Sequence, residues 1–274
     1  MKAPKKSMKV LTTFTLVMIT ITCVDSIRNL PSSAMFGSSV IFFYLLGAVV
    51  FFIPTAMICA ELSTTWPEEG GIYTWGKKAY GKGFGLMTVW FQWIENVIWY
   101  PLSLSFIAGT FTYLLTPQLA HNKVYVFALI NVVFWSCTFI NLKGLKLSGH
   151  LSEIFGVLGL VLPMLFIIGL GAIWMIGGHP LQVHFDKASM LPSAHNDTMW
   201  VSLSAIVMSL TGIEITTIHA AEVKNPQRSY PRALLIATVF ILFTLILGSL
   251  SIAIVVPSAT LSLISGIMEA FHDF

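Results

Sequence analysis

Asp25, Arg28 and Asn29 precede Pro31 in the stretch CVDSIRNLPSS, residues 23–33, and apolar sequence runs up to this stretch and resumes soon after it. A second polar group, Ser209, Thr211, Gly212 and Glu214 in SLTGIE, interrupts another apolar run, with His219 further along. Glu95 and Asn96 lie inside a third run, FQWIENVIWYP. Ionisable groups inside segments of membrane-spanning length are costly unless they face protein or water, so each is a functional candidate. Their types suit binding and proton movement rather than bond making. Glu214, Glu95 and His219 are candidates for proton coupling or gating. No nucleophile and base share a face. The nearest pair, His219 with Glu222, is spaced i, i+3 near a helix end, so an enzyme is not expected. Neither a metal site nor a cofactor is expected.

Each group has a plainer alternative. Asp25 and Arg28 at i, i+3 could neutralise each other on a helix, and Arg28 could snorkel to the outer surface. Glu95 and Asn96 could hydrogen-bond a neighbouring helix, and His219 could cap or pack. Two interruptions together say more than one. Proline at the first site and glycine at the second license backbone that leaves the helix, and broken backbone at membrane depth is tolerated only where it lines a cavity or is buried in protein. A broken helix offers free N–H groups at one stump, which attract an anion, and free C=O groups at the other, which attract a cation. A zwitterionic amino acid carries both charges, so paired breaks suit it better than a sugar or a lone metal ion.

The elements that must position these groups follow from composition. The chain has 274 residues, 56% of them hydrophobic and 10% charged. Soluble domains carry about 25% charged residues, so a polytopic helical membrane protein is expected. Spans of roughly 20 residues are predicted near 10–36, 40–62, 84–115, 123–140, 151–177, 199–221 and 231–256, with another starting at 261. The first is long enough only if it continues through Asp25–Pro31. Lys2, Lys5, Lys6 and Lys9 precede span 1; Lys77, Lys78 and Lys82 follow span 2; Lys143 and Lys146 follow span 4; Lys224, Arg228 and Arg232 follow span 6. These segments share one side, which the positive-inside rule makes cytoplasmic, along with a retained N-terminus. Spans 1 and 6 then run in opposite directions, as in an inverted five-span repeat. Residues 1–178 form the first repeat, 179–198 an outer loop and 199–274 a partial second repeat. Cys23, Cys59 and Cys137 are expected to be small buried residues.

Several stretches resemble the amino acid–polyamine–organocation transporters, in particular their bacterial glutamate/γ-aminobutyrate antiporter branch: IRNLP, FFIPTAMICAELSTTWPEEGGIYTW, TGIE, HAAEVKNPQRSYPRA and GSLSIAIVVPSATLSLISGIMEAF. The resemblance implies an all-α integral membrane, LeuT-like inverted-repeat fold with helices 1 and 6 discontinuous. It implies a small amino-acid substrate held at the two breaks, with helices 3 and 8 completing the pocket. By position this points to Val24, Asp25, Ser26, Ile27, Arg28 and Asn29, to Glu95 and Asn96, and to Ser209, Thr211, Gly212, Ile213 and Glu214. A bacterial inner-membrane location and exchange of an acidic amino acid, such as glutamate, are also implied. Twelve helices are implied in all, so the expectation is an incomplete, C-terminally truncated chain. The alternative is a non-transporting fragment, or half of a split transporter acting with a complementing C-terminal half. A homo-oligomer is also open, and no nucleic-acid partner is expected.

Overall fold

The computed structural model describes residues 11–115, 117–119, 122–191, 198–257 and 271. The helices are α1 (Thr13–Val24), α2 (Asn29–Ala34), α3 (Val40–Gly47), α4 (Ile53–Thr65), α5 (Ile72–Tyr80), α6 (Lys82–Leu115), α7 (Lys123–Leu142), α8 (Leu145–Gly156), α9 (Leu162–Ile176), α10 (Lys187–Met190), α11 (Thr198–Ser209) and α12 (Pro226–Ala253). Among the described residues there is no strand, only one isolated bridge between Leu11 and Val223. The predicted start of a further span at 261 lies outside the described residues. The protein is an all-α integral membrane fold. Gly37–Thr65, Lys123–Leu142, Leu147–Ile176 and Pro226–Ala253 are each long and apolar enough to cross a bilayer. α6 is longer still, at 34 residues, but is diluted by Gln92, Glu95, Asn96 and its tryptophans.

Two spans widen by one residue just ahead of a proline. In Gly37–Thr65 the Ile53 amide bonds the Ala48 carbonyl, five residues back, immediately before Pro54. In Leu147–Ile176 the Leu162 amide bonds Val157 in the same way before Pro163. A proline cannot donate, and its ring collides with the carbonyl four residues back. A π turn opens that space without breaking the rod.

α12 is the hub. It packs on α1, α2, α4 and α9, and half of its spanning window is buried, against none of α7. α7 and the outer face of α6 are exposed. This corrects the expectation for one cysteine. Cys137 on α7 is exposed, while Cys59 is buried and Cys23 half-buried.

The start of span 1 is fixed to the end of span 6. The Leu11 amide donates to the Glu222 carbonyl at 3.0 Å, and the Lys224 amide returns a bond to Leu11, also at 3.0 Å. From there α1 climbs 12 residues to its break, about 18 Å at ~1.5 Å per residue. The returning segment of span 6, Ile215–Glu222, is two short 3₁₀ pieces joined by a kink at His219 (φ −95°, ψ 21°). Leu11 meets Glu222 at one end and the Cys23 carbonyl lies against Gly212 at the other, so the two segments run in opposite directions. Gly71, at φ +48°, lets the loop after α4 dock on this segment: a Cβ there would sit 3.1 Å from the Ile218 amide nitrogen. The neighbouring Gly70 amide bonds the Ile218 carbonyl at 3.2 Å.

α9 and α12 approach without a side chain between them at Gly171, where a Cβ would lie 2.5 Å from Ser251 Cβ; Gly169 has open space beside it. Close backbone contact at small residues is the main source of helix association in membranes. Gly171→Val should therefore lower the thermal midpoint of the detergent-solubilised protein by several degrees, while Gly169→Ala leaves it unchanged within a degree or two.

Candidate functional site

α1 stops because Asp25 turns to extended geometry (φ −74°, ψ 139°) while its amide still bonds Ile21 at 2.7 Å. The chain recovers helical bonding at Asn29 and Leu30, whose amides reach Ser26 and Ile27 at 2.9 and 3.1 Å. Pro31 falls in the first turn of α2, where its missing N–H costs nothing. The carbonyls of Thr22, Cys23 and Val24 are left beyond the last intrahelical donor. Span 6 breaks after Ser209. Gly212 takes φ +109°, a conformation that an L side chain adopts only with strain, and a Cβ on it would lie 2.9 Å from the Cys23 carbonyl oxygen. The two breaks touch backbone to backbone, and a residue with any side chain at 212 would separate them.

A cavity of about 690 Å³ opens beside this contact. Val24, Asp25, Ser26, Ile27, Arg28 and Asn29 from the first break line it, with Glu95 from α6 and Ser209 and Thr211 from the second. Phe91, Trp99 and Ser103 of α6, and Phe155, Gly159 and Leu160 of span 5, extend the wall. Gly159 lies in the π turn ahead of Pro163.

The other candidates lie off the lining. Asn96 donates to the Gln92 carbonyl at 2.8 Å on its own helix. Gly212 and Ile213 are buried behind the wall. The Glu214 side chain is folded against the amides of Gly212 and its own residue, within electrostatic range of Glu95. His219 Nδ1 is 3.1 Å from Glu222 Oε2, in the 3₁₀ segment that leaves the break.

Asp25 and Arg28 do not neutralise each other. Among the described residues, the only ion pairs join Lys78 to Glu68, His150 to Glu153 and His219 to Glu222. The i, i+3 proximity rule presumes a helix, and the chain is unwound between these two. Arg28 is half-buried, and the one hydrogen bond its guanidinium makes is a 3.5 Å contact to Asn29 Oδ1. Asp25 is 3% exposed. It is held by Thr244 on α12, whose Oγ1 lies 2.7 Å from Asp25 Oδ2.

Sequence reasoning did not find Thr244, Tyr44 or Ser33. Tyr44 on α3 is fully buried, and its Oη stands 2.9 Å from Ser33 Oγ on α2 and 3.3 Å from Ser209 Oγ at the end of α11. One phenol thus ties the resumed half of span 1 to the broken end of span 6. Glu153 on α8 accepts from Thr15 Oγ1 and so joins span 5 to α1.

An all-helical membrane protein in which two broken, oppositely directed spans share one cavity has the architecture of a secondary transporter. The chain belongs to the amino acid permease family, which it matches over residues 11–273. An uncharacterized transporter of Legionella pneumophila is 46% identical over 98% of this chain and 58% of its own length. A glutamate/gamma-aminobutyrate antiporter of Lactococcus lactis is 29% identical over 93% of this chain and 51% of its own. A probable agmatine/putrescine antiporter of the same species is 27% identical over 87% and 50% respectively. The chain thus spans about half the length of the curated relatives it matches. These relatives are transporters, not enzymes.

Tyr44→Phe removes the shared hydroxyl and leaves two serines unjoined. It should cost about 1 kcal/mol in denaturant unfolding, and a cysteine placed at Ser209 should react faster with a thiol reagent in the Tyr44→Phe background than in the parent.

Proposed function

We propose that the chain is the substrate-binding part of an amino-acid antiporter that exchanges an acidic amino acid, such as glutamate, for its decarboxylation product or another amino acid. The observation that carries this reading is the shared cavity: backbone from both breaks, Arg28 and Glu95 face one space of about 690 Å³. That is within the range of roughly 300–1,000 Å³ usual for small-molecule sites. The carbonyls past the end of α1 and the Glu95 carboxylate suit an α-ammonium group. Free amides at the first break suit an α-carboxylate. The Arg28 guanidinium, with no carboxylate partner among the described residues, suits the distal carboxylate of an acidic side chain. A decarboxylated product keeps that distal group and the ammonium, and loses only the carboxylate beside the amine. One site can therefore hold either partner in turn, which exchange requires.

In this reading residues 1–178 are a first repeat, 179–198 an outer loop and 199–274 part of a second repeat of opposite sense. The face where Leu11 meets Val223 is cytoplasmic, in keeping with the basic clusters that flank it. Alternating access then consists of rocking of the helices around the fixed site, biased by bound substrate.

The test is radiolabelled glutamate exchange in proteoliposomes containing the full chain. Loss of a charge-assisted hydrogen bond worth about 1.5–3 kcal/mol should raise the KM for glutamate roughly 10- to 100-fold in Arg28→Ala. Arg28→Lys should recover part of it, and a neutral substrate should be little affected. An unchanged glutamate KM in Arg28→Ala would remove Arg28 from the site, and no exchange above empty vesicles by the parent would overturn the antiporter reading.

A further inference from the structure

Thr244 Oγ1 lies 2.7 Å from Asp25 Oδ2, 2.9 Å from the Phe240 carbonyl and 3.1 Å from the Ile241 carbonyl. A hydroxyl has one proton to give and can also accept. If Asp25 is ionised, all three of these neighbours are acceptors competing for that proton. The charge then has little else: Oδ1 is buried and accepts no hydrogen bond, and the Ser26 amide is the other polar group beside the carboxylate. If Asp25 carries a proton on Oδ2, the acceptors no longer compete for one proton, and the buried Oδ1 is a neutral carbonyl oxygen. Asp25 donates to Thr244 Oγ1, Thr244 donates to the Phe240 carbonyl in the usual i−4 manner, and no charge is buried.

Among the described residues no cation pairs with Asp25. Arg28, on the same break, forms no ion pair with Asp25. From α3 the facing titratable group is the phenol of Tyr44, Cys23 lies on α1, and Glu95 on α6 lines the same cavity. Glu214, at the second break, is within electrostatic range of Glu95. α12 contributes only the hydroxyl. A bare carboxylate among phenol, thiol and two further carboxylates, 3% exposed, is costly enough to take up a cation.

We propose that Asp25 is the proton-carrying group of the cycle, protonated and docked on Thr244 in the state described, and released from α12 when it ionises. This rests on the transporter reading for its role in a cycle, but not for its protonation. In the proton step the Asp25 Oδ2–H bond breaks and the proton leaves to water in the cavity, while Thr244 keeps its bond to Phe240. Span 1 is then held to the α12 hub by one polar contact fewer at the depth of the break.

Infrared difference spectroscopy of the full chain in nanodiscs tests the protonation directly. A protonated-carboxyl carbonyl stretch should be present at neutral pH, absent in Asp25→Asn, and shifted in Thr244→Val, which retains the proton but loses the acceptor. An identical spectrum for parent and Asp25→Asn would overturn the proposal. A band absent in sodium chloride but present in choline chloride would also overturn it, in favour of a sodium site. In proteoliposomes, exchange by the parent should vary with pH, by up to about ten-fold per unit for one titrating group, and Asp25→Asn should flatten that profile. A parent-like profile in Asp25→Asn overturns the coupling role. Loss of exchange in every protein, parent included, refutes the antiporter reading and leaves the spectrum to decide the protonation.

Discussion

Hydrocarbon offers no partner for a bare amide or carbonyl, so a helix that breaks inside a membrane must break against something. In this protein each break is the other's partner. Gly212 lies against the Cys23 carbonyl with no room for a side chain between them, and the remaining polar backbone turns toward one cavity. Much of the rest of the architecture serves to keep the two breaks in register. The Leu11–Val223 bridge pins the far ends together, and Gly70 and Gly71 brace the returning segment from the α4–α5 loop. Tyr44 closes the other end by joining Ser33 to Ser209.

The packing divides the molecule into parts with different freedom. α1, α2, α4 and α9 converge on α12, whose buried face is rich in small and hydroxylated residues that allow close approach. α6 packs on α5 and α7, and α7 packs on α8, which in turn packs on α1. The cavity lies between the two parts, with the breaks on one wall and the aromatic face of α6 on the other.

The architecture was legible because its signals are large. Proline near the first break, glycine at the second and charge inside both apolar runs marked the breaks. Hydroxyl groups gave no comparable signal. Thr244 reaches Asp25 across 219 positions and Tyr44 reaches Ser209 across 165, and neither residue type is unusual in a membrane helix. Helical spacing paired His219 with Glu222, although His219 itself departs from helical geometry. It failed for Asp25 and Arg28, because the break that made those residues interesting also removed the periodicity that would have paired them. Asn96 and Glu214 show the same limit from another side. Sequence places them at the right depth, while rotamer and local backbone decide which way they face, and both turn to nearby backbone instead of the cavity.

The central claim is that two chain segments nearly 200 positions apart, one in each broken span, wall a single water-filled binding space. Single cysteines at Ser26 and at Ser209, in a background lacking Cys23, Cys59 and Cys137, test it most directly. Both should react with a small polar thiol reagent in membranes, and excess glutamate should protect both with the same concentration dependence. Protection of one site without the other, or labelling of neither, would show that the breaks do not share a site.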